Sequence, residues 1–165
     1  MKYLLLLVLL LSCSHNYGQS NLPKDHFVIL PYGKDAYTSL PKNSIPAILV
    51  DTDFVTIDHL LSICIDKYNQ EQTAEYKKMT KKFPDNGYEL KNFVIDLKRY
   101  YRQYIVVQNA KGEKEVWVNC FCNIQNVDYW KKQVVFVQDG GNCFFNVRIN
   151  LTKKTFSDFI VNGEA

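Results

Sequence analysis

The hydrophobic pattern changes period once, at Pro84-Asp85-Asn86-Gly87, and that switch limits the fold more than any motif does. Before the turn, Phe54, Ile57, Leu61, Cys64, Ile65 and Tyr68 fall at helical spacings. Leu60 sits beside them, and polar residues fill the other face through Lys78. Thr52 or Asp53 supplies an N-cap, and Lys77, Lys78, Lys81 and Lys82 suit the negative end of the helix dipole. One amphipathic helix over about Asp53–Lys82 is predicted.

After the turn the period is two. Tyr101–Gln108 and Glu115–Cys122 flank Asn109-Ala110-Lys111-Gly112-Glu113, a polar loop that reads as a hairpin. Gln133–Gln138 is predicted as a further strand, and Asp139-Gly140-Gly141-Asn142 as a turn that needs positive φ. Cys143, Phe145, Val147, Ile149 and Leu151 then alternate with Phe144, Asn146, Arg148 and Asn150. One of those faces should be buried and the other largely wet. Thr155–Val161 closes the series. Helix followed by strands predicts an α+β domain, with one long amphipathic helix packed on a curled antiparallel sheet of four to five strands, a cystatin-like roll. The N-terminal third adds only a brief apolar run, His26–Leu30, and a short strand within Ile45–Val50.

The start of the chain bears on location. Met1-Lys2-Tyr3, an apolar run from Leu4 to Leu11, then Ser12-Cys13 have the parts of an export signal, and the run is shorter than the roughly 20 apolar residues of a membrane span. Leu10-Leu11-Ser12-Cys13 resembles the bacterial lipobox, which implies a diacylated Cys13 as the new N-terminus. An ordinary cleavage before Gln19 would place Asn16 where a small residue belongs, so lipidation is the stronger reading. The expected organisation is a signal peptide at 1–12, a lipidated Cys13 with its tether at 13–25, and a single α+β domain at 26–165. Without Lys2 the chain keeps 19 basic against 17 acidic side chains, too even a balance to point to nucleic acid or acidic lipid.

Four further cysteines remain: Cys64, Cys120, Cys122 and Cys143. An oxidising envelope compartment invites a disulfide, between Cys143 and either Cys120 or Cys122, whereas buried free thiols are the plain alternative. All three are expected to point toward the helix face that carries Cys64. The Cys-x-Cys spacing is poor for zinc, and no metal or cofactor site is expected. Asp51, Asp53 and Asp58 read as helix-start residues rather than a cation site, because no Gly turn or closing Glu completes a calcium loop. Asp139-Gly140-Gly141-Asn142 is too short for a phosphate loop, and the Asn150-Leu151-Thr152 sequon lies in a strand. Lys98-Arg99-Tyr100-Tyr101-Arg102-Gln103-Tyr104 mixes bases and aromatics, which makes Arg99, Tyr101, Arg102 and Tyr104 a candidate binding surface for a partner or lipid headgroups. Export removes nucleic acid as a partner. His15, His26 and His59 are the only neutral-pH bases, and none stands at a spacing that pairs it with a thiol.

Asn119-Cys120-Phe121-Cys122, Trp130-Lys131-Lys132, Asp139-Gly140-Gly141-Asn142-Cys143-Phe144-Phe145 and Asn162-Gly163-Glu164-Ala165 together resemble a group of small uncharacterised bacterial lipoproteins and secreted proteins. The resemblance covers about 100–165 and implies no catalytic residue. The function expected from all this is a lipid-anchored cell-envelope protein that binds a protein or small ligand on an open sheet face, as an inhibitor or immunity module does. The opposing class is an envelope enzyme using a Cys thiol or carboxylates gathered in a concave pocket.

Overall fold

A computed structural model describes residues 23–33, 39–125 and 128–163. The predicted signal, Cys13 and most of the tether lie outside these residues. Helix α1 spans Asp51–Lys82, two residues earlier than the pattern predicts. Val50 holds the N-cap position, and Asp53, the third helical residue, reaches back to accept the Val50 N–H at 2.9 Å. That bond satisfies one of the amide donors a helix start leaves open. The helix closes where Phe83 N donates to the Met79 carbonyl, and Gly87 takes the left-handed φ of 62° in the turn beyond.

Only the first half of α1 is a core element, with Ile57, Leu60, Leu61, Cys64 and Ile65 buried. Tyr68 still packs edge-on against Phe159 at the margin of that core, and beyond it the helix is held from the side. Asn69 donates to the Ile95 carbonyl and accepts the Ile95 N–H, both at 2.8 Å, and Tyr76 and Tyr88 pack edge-on against Phe93. The segment 83–100 thus folds back along the distal helix.

The α+β class is as predicted, and the sheet is larger and mixed. Six strands take part: β1 (Phe27–Ile29), β2 (Ile45–Pro46), β3 (Tyr101–Gln108), β4 (Lys114–Phe121), β5 (Phe144–Asn150) and β6 (Thr155–Val161). The order is β1-β3-β4-β5-β6 with β2 also on β3. β1 runs parallel to β3, pairing Phe27 to Ile29 with Arg102 to Tyr104, while β2 runs antiparallel along Val107 and Gln108. Two short N-terminal pieces therefore share one edge of β3. The remaining pairs are antiparallel, as the hairpin pattern implies.

Side chains alternate across this sheet. Tyr104, Val106, Val116, Val118, Cys120, Phe145, Val147 and Ile149 meet α1 in the main core. Phe144, Asn146, Arg148 and Asn150 are half-buried on the far side, so the register of β5 is the expected one. The far face over β3 and β4, expected to be open, is covered. Val135 and Trp130 from the segment after β4 pack on Phe121, and Leu30 and Leu40 pack on Ile105, Val107 and Trp117.

Gln133–Gln138 is not a strand. Side-chain amides take the place of a ladder there. Gln103 donates to the Trp130 and Gln133 carbonyls and accepts the Val135 N–H, Asn119 donates to the Val135 carbonyl, and Asn162 donates to the Val137 and Asp139 carbonyls. A segment whose backbone groups are met in this way can lie flat on a sheet without joining it.

The outer strand β6 carries a bulge. Between the Asn146 and Arg148 pairings β6 holds one extra residue, and Asp158 adopts φ 50°. Arg148 fastens the site through an ion pair to Asp158 at 2.8 Å.

Candidate functional site

Where β5 begins, the chain turns through Gly140 and Gly141 at φ 99° and 54°. A Cβ on Gly140 would sit 2.6 Å from the Phe144 ring, so only glycine fits that position. Three side chains tie this turn to the segment behind α1 and to the end of β4. The Asn142 side chain donates to the Asn92 and Val94 carbonyls, Tyr100 donates its hydroxyl to the Asn142 carbonyl at 2.7 Å, and Cys143 forms a disulfide with Cys122 just past β4. Burial pushes the Tyr100 hydroxyl well above its ordinary range, so it stays a donor.

The result is a cleft of about 580 Å³. Lys91, Asp96, Arg99, Tyr100, Cys122 and Asn142 are among its lining residues. Arg99 is exposed at its rim. Asp96 spends one oxygen on the Lys98 N–H, and Lys91 pairs with Glu89. The cleft offers the Arg99 cation beside the Asp96 carboxylate, with the Cys122 sulfur in its lining. That is an arrangement for holding a polar or acidic group, because a guanidinium is a planar multiple donor.

The four residues proposed as a binding surface separate. Arg99 lines the cleft, while Arg102 and Tyr104 are buried under α1 at 5% and 1% exposure. Arg102 Nη1 donates to Asp58 Oδ1, and Tyr104 packs among Phe27 and Phe54. Tyr101 points the other way, onto His26 and Trp130. The physical reason is the position of β3, which has strands on both edges and layers on both faces, so no side of it is left to be a surface.

The cysteines also divide. Cys122 and Cys143 are bonded, so the pairing takes Cys122 and leaves Cys120 free. Cys143 belongs to the short turn before β5 and never enters the alternating core series. Cys64 and Cys120 lie buried in the main core, where burial pushes their thiols up to about 11 and about 12. Such thiols are protonated and poor nucleophiles at neutral pH. His59 is exposed on α1 and His26 stacks on Tyr101 at 4.5 Å between ring centres.

Of the helix-start aspartates, Asp53 also binds Lys114 at 2.7 Å and Asp58 binds Arg102. Among the described residues no group of three His, Cys, Asp or Glu is placed to hold a metal ion.

A second, more polar cleft of about 420 Å³ lies between the β3–β4 and β5–β6 turns, and the sequence reading had no signal for it. Asn109 and Asn150 each donate to both Glu113 and Glu115. Lys153, then Asn109 and Asn150, hold the Glu113 carboxyl down at about 2. Glu115 is buried with its Oε2 3.8 Å from Arg148 Nη1 and without a hydrogen bond. Nearly every polar group in this cleft is met by another, so it works as a latch between the two turns. The Asn150 amide of the sequon is part of that latch.

Comparison with protein-family models, curated proteins and solved structures finds no match.

Proposed function

We propose that this is a lipid-anchored protein of the bacterial cell envelope that works by binding, with the Arg99 cleft as its ligand site. The observation that carries the reading is the disulfide between Cys122 and Cys143, whose Cys122 lines that cleft. Disulfides persist in oxidising compartments, which agrees with an export signal and a lipobox-like Leu10-Leu11-Ser12-Cys13. Two acyl chains on Cys13 give stable attachment, since each buried methylene contributes about 0.8 kcal/mol. Binding is favoured over thiol catalysis because the two free thiols among the described residues are buried and hard to ionise. The ligand is a small acidic molecule or an acidic side chain of a protein partner, matched to Arg99 at the rim.

Cys13→Ala tests the anchor: the variant should leave the membrane fraction or accumulate unprocessed. Unchanged processing with wild-type membrane retention would refute it. The folded protein should also react slowly with a thiol reagent at neutral pH, and rapid labelling would favour the enzyme class.

A further inference from the structure

Much of the large apolar surface left facing solvent is concentrated between residues 29 and 55. Ile48 is 80% exposed, Ile45 61%, Val50 52%, Ile29 47% and Val55 37%. Strand pairing brings the first of these together. Leu30 N donates to the Tyr104 carbonyl and Ala47 N to the Val106 carbonyl, so the ends of β1 and β2 converge on the same stretch of β3's edge. Ile29 and Ile48 flank that junction, and Val50 leads directly into the first turns of α1, where Val55 stands. Leu30 and Leu49, beside them in sequence, are buried and pin the segments, so the outward side chains are held out by a fixed backbone. Clustered exposed apolar side chains of this kind mark an interaction or membrane site.

We infer that this edge, with Ile29, Ile45, Ile48, Val50 and Val55, rests in the headgroup and acyl boundary of the membrane that holds the anchor. The inference depends on the lipidated Cys13 proposed above. The ten peptide links from Cys13 to Pro23 span at most roughly 35 Å. Pro23 lies four residues ahead of β1, so the anchor delivers this edge, rather than the distal end of α1, to the bilayer. Lys24 and Lys42, each three residues ahead of one of the two short strands, are exposed, but so are Asp25 and Asp51, so apolar contact rather than net charge holds this edge at the headgroups. A second copy of the chain is the less suitable occupant. β1 offers three residues and β2 two, one of them Pro46, whose nitrogen cannot donate, so strand-to-strand pairing has little to build on. A compact group of apolar side chains on a rigid edge suits shallow insertion instead.

The test places an environment-sensitive fluorophore on the full-length lipoprotein at Ile48→Cys, with Lys78→Cys on exposed distal α1 as reference. Native thiols do not compete, because Cys64 and Cys120 are buried, Cys122 is bonded to Cys143, and the Cys13 sulfur carries the proposed lipid. In vesicles of phosphatidylethanolamine and phosphatidylglycerol, the probe at position 48 should shift to the blue. Nitroxide lipids should quench it roughly threefold more than the probe at 78, as expected for a side chain at the acyl boundary. Protein that floats with the vesicles but shows equal, weak quenching at both positions would overturn this inference and leave the anchor standing. A blue shift insensitive to nitroxide lipid and present in lipid-free dimers would assign the edge to a second copy and overturn it too. Protein that does not float would overturn both readings.

Discussion

The two faces of the sheet are closed by different physics. Toward α1, Ile57 and Leu61 meet Val116, Val118, Phe145 and Val147, all essentially without solvent exposure, and the layer is held by apolar burial. Toward the opposite side, apolar packing around Trp117 and Phe121 is joined by Gln103 and Asn119, which are buried under an irregular segment and hold it by its own carbonyls and amide. An apolar layer is non-directional and tolerates small shifts. A layer fastened by amides holds only while each partner is in place, because a buried polar group left unmet is costly. The helix side should therefore behave as the stable body and the far side as a cover that comes away first.

The most severe way to break that comparison is Val147→Asp. An ionised carboxylate without a partner would enter the apolar layer, at a cost on the order of 4 kcal/mol or more, and the cooperative thermal transition in far-UV circular dichroism should vanish. A variant that still melts cooperatively would mean the helix side yields more easily than argued. Next, Cys122→Ser with Cys143→Ser opens a loop of sequence separation 21 that contains the cover. The expected loss is about 3 kcal/mol. Tryptophan emission should red-shift while the helical signal persists, because Trp117 and Trp130, the only two tryptophans, both lie on the far side.

Gln103→Leu keeps the volume and removes the fastening, leaving the Trp130 and Gln133 carbonyls and the Val135 N–H without it. A loss of about 2 kcal/mol is expected, with proteolysis inside 128–137 before global unfolding. Simultaneous loss of helix and cover would erase the distinction between the faces. The smallest effect concerns the latch at the rim. Glu113 is held at about 2 against 4.5 for a free glutamate, chiefly by the Lys153 ammonium and then by Asn109 and Asn150. Its contribution is present above pH 4.5 and is lost as pH falls toward 2, since the unfolded chain takes up the proton first. The urea midpoint should drop on going from pH 6 to pH 3, and less so in Glu113→Gln.

The same contrast explains what could be read from the residues alone. Where burial is apolar and periodic, the pattern speaks: Phe54 to Tyr68 for α1, and Phe145, Val147 and Ile149 for β5. Where closure is polar, it misleads. Val134-Val135-Phe136-Val137 has a strand's composition, yet its backbone is met by Gln103, Asn119 and Asn162, which lie far away in sequence. The parallel pairing of β1 with β3 rests on three residues, too few to show a period. Arg102 and Tyr104 looked like surface because alternating bases and aromatics suit a wet strand. Asp58, supplied by α1, is what lets Arg102 be buried. The Arg99 cleft was half legible, through Arg99 and the Gly140-Gly141 turn. Its assembly depended on Asn142 reaching Asn92 and Val94, which no local pattern encodes.

If the proposed anchor holds many copies at one membrane, they meet edge to edge far more often than in solution, and the outermost strand of each sheet is the natural template for runaway association. The left-handed Asp158 and the extra residue beside it break the regular spacing of donors and acceptors that a neighbouring strand would need, and the Arg148 pair adds charge at the same point. The bulge is thus a guard against templated aggregation, and its worth should grow with the surface density of the protein.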